Sequence, residues 1–323
     1  MKVQISLLLL FCVSALPGGS AQSPAAGGPP SWAYPVTPPG FKPTPDNGTV
    51  HKVPDSSAGY TLTQVRDLYT APDWHPQDHP AMPEVVARGR KPGVLACGVC
   101  HRADGPGGPE NASIARLPFD YIVQQLADYK EGSRSTALPA RAPQANMILL
   151  SKAATDEEIQ QSARYFSSLK PRKNIRVVET DRIPKTYTAN WIIATEEGAT
   201  TEPLGNRIVE TPENLEQFEL RDTHSKFVAY VPTGSLRKGG AIVHGKSGAK
   251  TPACATCHGK DLRGIGSVPS VAGRSPSYVF RQLYEFQTGA RAGKNAALMQ
   301  QPVAGLTQED MISVAAYLAS LNP

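Results

Sequence analysis

Two stretches of the chain carry the same apolar stripe. Between Thr155 and Leu169 it runs through Ile159, Ala163, Phe166 and Leu169, and between Thr307 and Leu321 through Met311, Ala315, Leu318 and Leu321. Steps of three and four residues hold side chains on one face of an α-helix, so each stretch is expected to be an amphipathic helix. Both open on a capping-box sequence, Thr155-x-x-Glu158 and Thr307-x-x-Asp310, where hydroxyl and acid occupy N–H groups that the first turn leaves free. Upstream, YIVQQLADYKEGSR from Tyr121 aligns without a gap on YVFRQLYEFQTGAR from Tyr278. The alignment pairs Gln125 with Gln282, Gly132 with Gly289 and Arg134 with Arg291. These read as two more helices, each stopping at its glycine.

The stripe therefore belongs to an internal repeat. The offset is 157 residues at the tyrosines and 152 at Met147 and Met299, so the first copy holds five extra residues between Arg134 and Met147. The expected fold class is mainly α, with one helical domain at residues 59–170 and a second at 236–323. Residues 171–235 between them contain β-branched runs such as NIRVVET and NRIVE, interrupted by Pro184, Pro203, Pro212 and Pro232. A few short strands and turns are expected there rather than a third domain. Residues 22–58 are rich in Pro, Gly, Ala and Ser and lack periodicity, the signature of a flexible or surface-wrapping leader. Residues 1–21 hold Lys2, an apolar run from Ile5 to Leu16, and small residues at Gly19 and Ala21. That is the layout of a cleaved signal peptide, and the run is short for a bilayer span. The expectation is an exported, periplasmic protein with no integral membrane segment after cleavage.

Cysteine usage sharpens the picture. Cys12 lies in the signal, which leaves Cys97, Cys100, Cys254 and Cys257. An exported chain with no cysteine outside two close pairs is not built on a disulfide framework. The formal net charge of +5 suits docking to acidic proteins and falls far short of a nucleic-acid footprint.

All four cysteines sit in two copies of one motif, CGVCH at 97–101 and CATCH at 254–258. Cys-x-x-Cys-His is the attachment pattern of haem c. Residues three apart share one face of a helical turn, so both thiols reach the two vinyl groups of one porphyrin, and the next residue, His101 or His258, lies under the iron. Zinc would want a second pair at finger-like distance, and these pairs are more than 150 residues apart. A thioredoxin-like pair needs a βαβ setting. Two covalently bound haem c groups are the expected cofactors.

With a tyrosine-led helix ending in Gly-x-Arg, then a methionine, then a helix reading AAYLASL, each copy resembles a class I cytochrome c. The duplication resembles the dihaem cytochrome c4 family, over roughly residues 80–170 and 236–323. The resemblance implies two tandem cytochrome c-like helical domains facing each other across a pseudo-two-fold. It implies a protein that carries electrons and performs no chemistry on a substrate. It also implies a methionine on the far side of each iron. Met147 and Met299 stand at equivalent places, each eight residues before a capping threonine; Met311 aligns with Ile159 and is expected to pack in the core, and Met82 has no counterpart. A Met/His pair gives a higher potential than two histidines. His75 and His79, in DWHPQDHP, are the rival ligands for the first haem, but prolines follow both and a surface turn is expected; His51, His224 and His244 are expected to be solvated. By resemblance, Arg134 and Arg291 contact haem propionates. Pro269, eleven residues after His258, stands where the family's proline carbonyl accepts the histidine Nδ1–H, and Ala112 replaces it in the first copy, which puts that hydrogen bond in doubt. Arg88, Arg90, Lys91 and Arg102 around the first motif, and Lys238, Lys246, Lys250, Lys260 and Arg263 around the second, are candidates for steering partners.

The expected role is a carrier of single electrons between a dehydrogenase donor and an oxidase or other acceptor, as a monomer or weak dimer. Two alternatives stay open: a peroxidase-like dihaem enzyme and a cytochrome subunit of a larger oxidoreductase complex.

Overall fold

A computed structural model describes residues 28–198, 200–246 and 251–323; the expected signal peptide lies outside the described residues. The first unit comprises α1 (Leu62–Arg66), α2 (Glu84–Ala87), α3 (Cys97–His101), α4 (Phe119–Glu131), α5 (Ala142–Ala153) and α6 (Asp156–Ser168). Both expected capping bonds close α6: Thr155 Oγ1 accepts from the Glu158 N–H at 3.2 Å, and Glu158 accepts from the Thr155 N–H at 2.8 Å. Helix α4 stops at Gly132, which takes the left-handed conformation (φ 81°) that a glycine adopts without a Cβ clash. The stripe residues Ile159, Ala163, Phe166 and Leu169 face Ile122, Leu126 and Leu150 in one buried cluster.

After a connecting segment come α7 (Leu215–Glu219), α8 (Ser235–Val243), α9 (Ala255–His258), α10 (Pro276–Gln287), α11 (Ala297–Val303) and α12 (Gln308–Ser320), of which α8–α12 build the second unit. Its core holds Phe280, Leu283, Met311, Ile312, Ala315 and Leu318. Helix α8 crosses α12 at Gly239, where a Cβ would lie 2.0 Å from the Ser313 carbonyl oxygen. Gly239→Ala is therefore expected to force the two helices apart and cost about 2–3 kcal/mol, measured by denaturant unfolding.

Residues 171–235 fold more fully than the sequence suggests. They form β1 (Ile175–Glu179), β2 (Arg182–Pro184), β3 (Thr186–Ala189), β4 (Ile192–Thr195), β5 (Thr201–Pro203), β6 (Val209–Pro212) and β7 (Phe227–Val231). β7 is central, parallel to β1 and antiparallel to β6, while β3–β4 and β2–β5 are antiparallel pairs. Ile175, Ile192, Phe218 and Phe227 give this module its own core. Pro184, Pro203 and Pro212 each end a strand, where a missing N–H costs no ladder bond.

The leader wraps and then inserts. Ala33 and Tyr34 are buried in the core of the second unit, the Trp32 ring lies 4.5 Å from Phe280, and Arg281 donates to the Ala33 carbonyl at 3.0 Å. The β module, which lies on α12, explains a divergence between the copies. On the face of α12 that packs under β1 and β7, the second copy has Ile312, Ala316 and Ala319, all buried. The aligned first-copy residues Gln160, Arg164 and Ser167 line an open groove with Phe119 and Val123. One face is apolar because something lies on it, and the other is polar because it meets water.

The two units meet in an antiparallel pairing of 133–135 with 290–292. The Ser135 N–H donates to Ala290 and the Ala292 N–H to Ser133, at 2.7 and 2.8 Å. Repeat positions thus meet their own twins, as a pseudo-two-fold requires.

Candidate haem sites

Each motif is a single helical turn, Cys97–His101 in α3 and, with Cys254 as its helical first cap, Ala255–His258 in α9. All four thiols are free of disulfides. His101 Nδ1 lies 2.9 Å from the Ala112 carbonyl oxygen and His258 Nδ1 lies 2.8 Å from that of Pro269. A carbonyl only accepts, so Nδ1 carries the hydrogen in both rings and Nε2 keeps its lone pair, with no protein partner among the described residues. Burial holds both imidazoles below the ordinary histidine value, against the pull of those carbonyls; at His101 the Arg134 and Arg102 guanidiniums push the same way. Neutral rings with a free Nε2 are the form that ligates metal. Paired thiols on one turn beside such an imidazole fit a covalently bound haem c.

The doubt raised by Ala112 is corrected here. The acceptor is a backbone carbonyl, and the loop around it is held from elsewhere. Arg274, from the second unit, donates to the carbonyl oxygens of Ser113 and, at 3.4 Å, Ala115. Arg281 donates to the Pro109 carbonyl, and the Asn111 amide to Cys100 at 3.0 Å. The rigidity that Pro269 supplies in one copy comes in the other from guanidiniums reaching across the unit boundary.

Met147 on α5 is half-buried and packs against the same cluster as Cys97 and Tyr121. Met299 on α11 stands likewise with Cys254. Met311 is 2 % exposed within the second core, as a packing residue should be, and Met82 borders the first.

Arg134 and Arg291 are both buried between the units. Arg134 donates to Gln125 and Gln282 at 2.9 Å each and to the Tyr278 hydroxyl at 3.3 Å. Arg291 donates to Gln282 at 3.0 Å, Gln125 at 2.6 Å and the Tyr121 hydroxyl at 2.7 Å. Each glutamine carbonyl thus bridges both cations, and neither arginine has a carboxylate in salt-bridge range among the described residues. Two buried cations without counter-ions fit neighbouring anions such as propionates.

Other expectations change. His75 is 1 % exposed, not at a surface turn: its Nε2 lies 2.9 Å from Asp222, and its ring stacks on His224 at 3.7 Å. His224, expected to be solvated, also bonds Asp78 at 2.7 Å. His79 is held by Asp73, at 3.2 Å, and by the Tyr165 hydroxyl at 3.0 Å. His75 and His224 clasp the first unit to the β module, whereas His79 is held within the first unit. Among the steering candidates, Arg90 pairs with Glu158 and Lys238 with Glu309 and Asp310, Lys250 lies outside the described residues, and Arg102 is buried at 3 % exposure. Sequence reasoning missed Arg221, Arg274 and Arg281; the one sign was an arginine at 274 where the first copy has Leu117.

A family model for cytochrome c matches residues 242–322. Cytochrome c-554(548) of Halomonas halodenitrificans is 38% identical over 72 residues, which is 22% of this chain and 87% of that protein. The chain belongs to the cytochrome c family. Over its greater length, this cytochrome is 25% identical to two further proteins. One is the thiosulfate dehydrogenase electron acceptor of Thiomonas intermedia, over 232 residues, 71% of this chain and 80% of that one. The other is cytochrome c4 of Pseudomonas aeruginosa, over 233 residues, 71% and 85% respectively. Membership implies covalently bound haem c and a role in electron transfer. Among the described residues no helix is long and apolar enough to cross a membrane.

Proposed function

We propose that this cytochrome is a periplasmic dihaem electron carrier passing single electrons from a dehydrogenase to a terminal acceptor. His101 and Met147 ligate one iron; His258 and Met299 ligate the other. One observation carries the reading. Both motif histidines commit Nδ1–H to a loop carbonyl and keep Nε2 free, and the two methionines at equivalent repeat positions, Met147 and Met299, each lie partly buried against the cluster that a motif cysteine also borders. When bound, each haem supplies a one-electron couple. The motif cysteines and histidines would hold each haem, and Met147 and Met299 would supply the second ligand, which would favour transfer between proteins over binding of small molecules. The relative in Thiomonas intermedia is named for accepting electrons from a thiosulfate dehydrogenase, and a donor of that class is the first candidate here.

Reductive titration with a peroxide assay tests this. The account expects two electrons taken up per chain, reversibly, and no catalytic removal of peroxide. Peroxide turnover would instead point to a five-coordinate haem and an enzyme. The folded β module, which no haem requires, favours a second reading as a subunit docked in a larger complex; co-purification of a stable partner would support it.

A further inference from the structure

The histidine clasp between the first unit and the β module carries the donor set of a metal site. His75, Asp78 and His224 each bring one ligand atom into a group whose members all lie within 4.8 Å of one another. Asp222 arranges two of them. Its Oδ1 accepts from His75 Nε2 and from the His224 backbone N–H, at 2.9 Å each, and its Oδ2 accepts from the Gln217 amide at 2.6 Å. A carboxylate only accepts, so Nε2 of His75 carries a hydrogen, and in the neutral ring Nδ1 keeps its lone pair. That Nδ1 is buried without a partner in a residue 1 % exposed. An unsatisfied buried group costs about 1–3 kcal/mol, and a hydrogen-bonded clasp alone gives no reason to accept it. The His75 and His224 rings lie face to face at 3.7 Å, 5° from parallel, a contact that suits two neutral imidazoles better than two cations. Asp78 Oδ2 lies 2.7 Å from His224 Nε2 and accepts from Arg172 at 2.5 Å, while its Oδ1 has no hydrogen bond among the described residues. Arg172 also donates to Asp104 at 2.6 Å, so its charge is shared between two carboxylates.

We propose that His75 Nδ1, His224 and Asp78 bind a divalent cation of the zinc class, which pins the first unit to the β module. Two imidazoles and one carboxylate suit zinc, with water completing the tetrahedron. Ligand atoms on one zinc stand about 3.3 Å apart. The group closes to that spacing by small movements of His224 and Asp78, whose side chains are 30 % and 22 % exposed and not locked in a core. Asp222 supplies the outer carboxylate that fixes the tautomer and ring orientation of a metal-bound histidine. A cation held from both sides binds only the assembled clasp, and so stabilises it by mass action.

Zinc alone is the probe, added to the haem-loaded protein after treatment with a chelator. Covalent haem attachment occupies the four cysteines and removes them as competing ligands. Metal analysis and competition with a chromophoric chelator should find one zinc bound per chain, and zinc should raise the thermal unfolding midpoint. His224→Gln and Asp78→Asn alter partly exposed side chains, so both variants should keep the haem spectrum of the unmodified protein. Each should weaken zinc binding at least about tenfold and abolish the rise in midpoint. A protein that takes up no zinc, or zinc bound equally tightly by either variant, overturns the proposal.

Discussion

Met147→Ala and Met299→Ala should each open one haem to carbon monoxide, half the total in each variant, and the double variant should open both. Met311→Ala should open neither. The discrimination is steep because the three methionines have the same chemistry and different surroundings. Met147 and Met299 are partly buried at the edge of the cluster that a motif cysteine also borders, whereas Met311 lies within the second core at 2 % exposure. Its truncation should instead cost about 2–5 kcal/mol through the cavity left behind. Difference spectra of the reduced proteins with and without carbon monoxide, beside denaturant unfolding, read both effects. Carbon monoxide bound by Met311→Ala but not by Met299→Ala would reverse the assignment.

The second large effect crosses the unit boundary. Arg274→Ala removes a buried guanidinium that holds Ser113 and Ala115 and leaves their carbonyls unpaired, at a cost of about 2–4 kcal/mol. Ala112 lies next to Ser113, so the loop that fixes His101 Nδ1 loosens as well. The potential of the first haem should shift although the substitution lies in the second unit, and that of the second haem should hold, because Pro269 secures His258 independently. Equal shifts at both haems would show that Arg274 acts through general packing.

What the sequence revealed and what it hid separate along one line. Periodic and local features were legible. The stripe of Ile159, Ala163, Phe166 and Leu169, the two capping boxes and the stop at Gly132 are each specified within a few residues and appear as expected. The histidine clasp was not, because His75 meets Asp222 and His224 from nearly 150 positions away and nothing near His75 marks the encounter. The burial of Trp32 and Tyr34 was masked by their Pro- and Gly-rich surroundings, which read as unstructured when only local composition is weighed. Arg102 looked like a solvated charge beside the motif. Its burial follows from a left-handed backbone that turns the side chain inward under Phe218, a residue of the β module. Most instructive is Ala112: the group that matters is a carbonyl every residue possesses, so its partner could not be inferred from side-chain identity. Met147 and Met299 came from the family resemblance together with their equivalent places in the repeat, since neither has a local signature.

The central claim is that both haems are closed on the far side by methionine, which makes the protein a carrier of electrons. Optical and EPR spectra of the pure protein, oxidised and then reduced, test it most directly. The account predicts two low-spin haems per chain, with the weak near-infrared band of methionine-to-ferric-iron ligation when oxidised. A high-spin signal in the unmodified protein, or the absence of that band, would contradict it.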